Sequence, residues 1–147
     1  MIIAIDGHAG SGKTTVSKIL AKKLGMLHVN TGAMYRAATF FCINNNISPT
    51  ASFTQSNSLL DMDIEMKLDG SIYLNGKNVS HLINSSKVTD QVSYYSTNQE
   101  LRESMVLLQR KIVSDSDAVV EGRDIATIVF PNAEFKFFFT ADVLTRA

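Results

Sequence analysis

A single cysteine in 147 residues, Cys42, excludes an internal disulfide and any cysteine-built metal cage. Its neighbours Phe40, Phe41 and Ile43 mark it as a core thiol rather than a reactive one. Excess charge is also missing. Fourteen basic residues balance fourteen acidic ones, so nothing points to wholesale binding of nucleic acid or of a membrane surface. No apolar run approaches the length that spans a bilayer. The N-terminus has no charged leader and no cleavage signal, which leads us to expect a cytoplasmic location. Internal repeats and low-complexity segments are absent too. What remains, with 45% hydrophobic residues, is enough apolar side chain to bury the core of one domain.

The informative stretch comes first. Met1 to Asp6 is a short apolar run, MIIAID. Gly7-His8-Ala9-Gly10-Ser11-Gly12-Lys13-Thr14 follows at once, and then the helix-like TVSKILAKKL. The pattern is G-x-x-x-x-G-K-[ST] between a strand and a helix, the context a phosphate-cradling P-loop requires. Gly7, Gly10 and Gly12 let the backbone turn tightly and aim successive N–H groups inward. Those amides and the following helix start form an anion site. Lys13 supplies a point charge for terminal phosphates, and the Thr14 hydroxyl can sit on Mg²⁺.

Further along, a first helix is expected over Thr14 to Leu24, with Val16, Ile19, Leu20 and Leu24 on its buried face and Gly25 ending it. Met26 to Val29 reads as a strand, and Asn30-Thr31 offers an N-cap for a helix from Gly32 to about Asn44. Within it Arg36, one turn in, can point toward the same crevice as the loop; by residue type alone it is more often a solvated surface charge. Phe53 to Leu60 is expected to be a short helix. Asp61 to Leu68 then alternates polar and apolar strictly, and Asp69-Gly70 and Asn75-Gly76 are hairpin signals, so a small antiparallel meander is expected over about 61–80. Lys87–Tyr95 and Asn98–Ser114 read as helices, the second with Leu101, Met105, Leu108 and Ile112 inward. Ala118-Val119-Val120 suits a buried parallel strand. It leads into Glu121-Gly122-Arg123-Asp124, charged residues where open α/β sheets bind ligands. An ion pair capping the strand would explain Arg123 and Asp124 equally well. Phe135 to Thr140 is expected to be another buried strand, and Ala141 to Ala147 the start of a helix.

These stretches together resemble the bacterial cytidylate kinases of the P-loop nucleoside monophosphate kinases. The match runs through IDG-x-AGSGKT, TGAMYR, QVSYYSTNQELRESMVLLQR and EGRDIATIVFPNAEFKFFFTA, in order, over essentially the whole chain. The resemblance implies an α/β fold with a P-loop NTPase-type parallel sheet flanked by helices. It implies one kinase domain over 1–147, with 1–46 and 115–147 as core and the 61–80 insert inside an NMP-binding region of about 47–114. It implies transfer of a phosphoryl group from ATP, with Mg²⁺, to CMP or dCMP. By the same resemblance ATP would lie on Gly7, His8, Ala9, Gly10, Ser11, Gly12, Lys13, Thr14 and Thr15. Thr31, Arg36, Ser93, Arg102, Arg123 and Asp124 would hold the acceptor, with Asp124 on the exocyclic amine of cytosine and repelling the carbonyl of uracil. Lys13, Arg36 and Arg123 would be the catalytic cations.

The sequence departs from the family at His8, where a proline is usual, and at Ala126, where a glycine is usual and a side chain would crowd the backbone. Family members also continue past Arg146-Ala147 into an arginine-rich lid and a last strand. A chain ending here is therefore expected to be a weak or inactive kinase, monomeric like the family or associating through an exposed sheet edge. A non-catalytic nucleotide-binding remnant, and a P-loop kinase of other base specificity, stay open as alternatives. An adenylate kinase would be expected to carry TGD in place of TGA, and a GTPase an N-K-x-D, which is absent.

Overall fold

The computed structural model describes residues 1–53 and 61–140. The helices expected over Phe53–Leu60 and Ala141–Ala147 fall, but for Phe53, outside these. The chain divides into two compact units, Met1–Thr31 with Arg110–Ala147, and Gly32–Gln109.

The first unit is built on a parallel sheet of four strands, β1 (Ile2–Gly7), β2 (Leu27–Asn30), β6 (Ala118–Gly122) and β7 (Phe135–Phe139), in the order β2-β6-β1-β7. Because β1 and β6 are central and covered, their residues are apolar almost without break, and Ala4, Val119 and Val120 are wholly buried. The pairing aligns Asp6 with Gly122 and Asn30 with Glu121, so the ends of β1, β2 and β6 lie at one edge of the sheet. From β1 the chain crosses to β2, and from β6 it crosses the other way to β7. The β1 and β6 ends therefore flank the topological switch point, where ligands of such sheets bind.

Helix α1 (Lys13–Leu24) covers the sheet, and here the expected face is corrected. Val16, Ile19 and Leu24 are 40%, 52% and 51% exposed. The helix instead buries Ser17 and Ala21, with Leu20 partly covered against Ile3, Ile5, Met26 and Val119. Small side chains on the inner face let the helix approach the sheet closely, and the larger residues fall outside. Gly25 ends the helix as expected, its N–H donating to the Ala21 and Lys22 carbonyls. The second correction is β7. Its pattern reads as a buried strand, but it is the edge of the described sheet, and Phe135, Phe137 and Phe138 are exposed.

The second unit holds most of α2 (Thr31–Asn44) and a three-stranded antiparallel sheet, β3 (Ile64–Met66), β4 (Ile72–Leu74) and β5 (Lys77–Asn78). It also holds α3 (Ser86–Ser96) and most of α4 (Gln99–Ile112). Strict alternation puts Met62, Ile64 and Met66 on the buried face. Asn75 and Gly76 both take positive φ, 50° and 81°, the turn that matches strand twist in a two-residue hairpin. Leu101 and Met105 of α4 are fully buried, as their spacing requires, and Cys42 is buried with them in the core of this unit. No helix among the described residues is long and apolar enough to cross a membrane.

Candidate active site

The loop from Gly7 to Lys13 joins β1 to α1 at the switch-point edge. Gly10 and Gly12 have φ of 75° and 86°, left-handed values that side chains resist. Gly7 is required for a different reason: a Cβ there would sit 2.7 Å from the Phe139 carbonyl and 2.8 Å from Ser11 Oγ. Gly12 is the N-cap of α1, and no side chain caps the helix. Its first amides are thus left to whatever the loop encloses. Ser11 Oγ is buried without a hydrogen-bond partner among the described residues. An uncapped helix start and an orphaned hydroxyl in one glycine-rich turn fit a phosphate chain. His8, in the usual proline position, stands edge-on to the Phe138 ring at 6.1 Å, which gives the loop an anchor without a fixed φ.

Lys13 Nζ donates to the His8 carbonyl at 3.1 Å. Burial holds the pKa of its ammonium below the usual lysine value, with Glu121 opposing the fall, Arg123 adding to it and Asp6 opposing it. These three charged groups therefore act on the loop lysine from the same end of the sheet.

Thr14 Oγ1 donates to Glu121 Oε1 at 2.5 Å. Glu121 is 2% exposed, and its second oxygen, Oε2, lies 2.6 Å from His28 Nε2. A threonine at the end of the phosphate loop facing a carboxylate at the end of the adjacent strand is a donor set suited to a hard dication. Thr31 Oγ1 donates to the Glu121 carbonyl at 2.8 Å, tying the start of α2 to the same strand.

Asp6 is the link between the loop and the Arg123-Asp124 segment. It is 5% exposed, and its two oxygens accept from Ile125 N at 2.8 Å and Ala126 N at 2.9 Å. Both amides open the π-helical turn Ile125–Val129. Ala126 takes no left-handed conformation, and its backbone N–H is the one that donates to Asp6 Oδ2. Arg123 is exposed and Asp124 half-buried just upstream.

In the second unit, Arg36 Nη1 donates to Thr89 Oγ1 at 3.0 Å and meets the Ile83 carbonyl at 3.5 Å. Ser93 is exposed on α3, and Arg102 is exposed on the first turn of α4. The sequence reading gave no role to Asp6 or His28, and placed Glu121 only among the charges at the ligand-binding end of its strand. Glu121 carried a signal, a charge closing an apolar strand. His28 carried none, because its partner is 93 residues away.

The sequence model of the cytidylate kinase family matches residues 3–147. The chain belongs to the cytidylate kinase family. Among curated relatives, the cytidylate kinase of Halalkalibacterium halodurans is 44% identical over 152 residues, covering 100% of this chain and 68% of its own length. The cytidylate kinase of Clostridium botulinum is 40% identical over 145 residues, 99% of this chain and 66% of its own. A bifunctional pantoate ligase/cytidylate kinase of Prochlorococcus marinus is 45% identical over 150 residues, 99% of this chain and 29% of its own. The chain thus spans about two thirds of the cytidylate kinases it matches and under a third of the bifunctional protein.

Proposed function

We propose that this chain binds ATP with Mg²⁺ on residues 7–15 and transfers the terminal phosphoryl group to CMP or dCMP. The observation that carries the reading is the Thr14–Glu121 contact beneath a glycine loop, beside an Asp6-anchored Arg123-Asp124 segment. A glycine-rich turn, a threonine–carboxylate contact and the Arg123-Asp124 segment at one sheet edge support that reading. Membership of the family supports the choice of acceptor.

In this reading the loop amides, Ser11 and Lys13 hold the phosphates, and Thr14 with Glu121 hold the metal. Bound Mg²⁺ would neutralise charge on the phosphate oxygens. The acceptor is a phosphate, already an oxyanion, so no general base is needed and catalysis is positioning plus charge stabilisation. Arg36 and Arg123 neutralise the acceptor phosphate, with Thr31 beside it. Asp124 accepts from the cytosine amine, and Ser93 and Arg102 contact the base. Lys13 and Arg36 each spend one donor on the His8 carbonyl and on Thr89, and their remaining N–H groups would serve the phosphates.

The test is transfer of labelled γ-phosphate from Mg-ATP by the chain, with CMP, dCMP, UMP and AMP in parallel. Slow transfer, with label in CMP and dCMP above UMP and AMP, is the expected result. Label shared equally among the four, or preferred in AMP, contradicts the acceptor assignment.

A further inference from the structure

The buried pair behind Thr14 has a consequence for the metal. We infer that His28 is a positioning residue for Mg²⁺: it fixes the Glu121 carboxylate so that one oxygen faces Thr14 and the metal side. The inference rests on the reading above, that Thr14 and Glu121 hold the ion.

The geometry assigns the roles. β2 and β6 are neighbours, with His28 beside Val119 and Asn30 beside Glu121, so His28 and Glu121 share one face of the sheet at a diagonal. That face also carries Val119, which packs with Ala21 of α1, and Thr14 is in the first turn of α1. The two side chains are 10% and 2% exposed, so water does not compete freely for either. Glu121 divides its oxygens: Oε2 lies against His28 Nε2 at 2.6 Å, and Oε1 accepts from the Thr14 hydroxyl at 2.5 Å. With Glu121 as a carboxylate, Nε2 is the protonated nitrogen and is spent on Oε2. That nitrogen is therefore not free to bind a metal.

A glutamate has rotatable bonds that an unrestrained side chain would sample. Holding Oε2 from the neighbouring strand leaves Oε1 as the oxygen on offer, already beside the threonine. Carboxylates that bind metals are held in this way, and loss of the holding partner typically weakens the metal by about 10- to 100-fold.

The experiment is a calorimetric titration of a non-hydrolysable ATP analogue into the full chain, at a series of Mg²⁺ concentrations and in EDTA. It compares the parent, His28→Leu and His28→Gln, each checked for a folded thermal transition. We expect His28→Leu to move the Mg²⁺ midpoint up by about 10- to 100-fold while binding in EDTA stays within about twofold. His28→Gln, whose amide can donate to Oε2, restores the midpoint to within about threefold of the parent. An unmoved midpoint in a folded His28→Leu overturns the inference and leaves the site reading standing. Equal weakening with and without Mg²⁺ also overturns it, because the role is then structural. A parent whose binding ignores Mg²⁺ overturns the metal reading itself, and the inference with it.

Discussion

Removing the Asp6 carboxylate should unfasten the segment that carries Arg123 and Asp124. Asp6 is 5% exposed and accepts from the amides of Ile125 and Ala126 at 2.8 and 2.9 Å. Hydrogen bonds to a charged group contribute about 1.5–3 kcal/mol each, and a buried amide left unpaired costs about 1–3 kcal/mol. Asp6→Ala orphans both amides at once. The gain from no longer burying a carboxylate offsets part of the loss, so about 3 kcal/mol is the expected net destabilisation. For a chain of this size that is a fall in Tm of about 6–12 °C. The measurement is urea and thermal unfolding, with the dependence on urea unchanged. CMP affinity should fall further than affinity for an ATP analogue, because the amides Asp6 holds follow Asp124 directly. A loss below about 1 kcal/mol with CMP affinity intact would refute the reasoning, since neither amide would then depend on the carboxylate.

Gly122→Ala places a Cβ 2.4 Å from Thr31 Oγ1 and 2.8 Å from the Ile125 side chain. Overpacking of this kind costs about 1–3 kcal/mol in urea unfolding, and a cost near zero would mean the segment yields freely. Lys13→Ala should weaken Mg-ATP binding by about tenfold or more in calorimetry, the worth of one charge-assisted contact. Its stability should hardly change, because among the described residues the Lys13 ammonium donates to one exposed loop carbonyl. An unchanged ATP affinity would remove the lysine from the phosphate site. Burial pushes the Cys42 thiol up to about 11 from 9.0. Thiolate at pH 8 is then scarcer by about a hundredfold than for an ordinary thiol, so maleimide labelling should wait on unfolding. Rapid labelling of the folded chain would contradict a buried Cys42.

The loop-forming glycines, the Asn75-Gly76 hairpin and the alternation of Met62, Ile64 and Met66 were all legible because each is a local rule. A positive φ, a two-residue turn and a period of two are set by neighbours in sequence. The misses are tertiary. Val16, Ile19, Leu20 and Leu24 have helical spacing, but a helix lying close on a parallel sheet presents its small residues, Ser17 and Ala21. The phenylalanines of β7 read as core because apolarity does not tell a central strand from an edge. Asp6 and His28 look ordinary in sequence. Their partners lie 119, 120 and 93 residues away, and only the strand order β2-β6-β1 brings them together. Glu121 ended a recognisable strand, yet its partner Thr14 comes from another element, 107 residues away.

The central claim is that the site takes a cytosine monophosphate beside a P-loop nucleotide. Its most direct measurement is calorimetric binding of CMP and of UMP to the chain, with Mg²⁺ and a non-hydrolysable ATP analogue present. A carboxylate that accepts from the cytosine amine and repels the uracil carbonyl should favour CMP by at least about tenfold, or about 1.4 kcal/mol. Asp124→Asn should bring the two affinities together. Equal binding of CMP and UMP by the parent, or a preference that survives Asp124→Asn, would contradict the account.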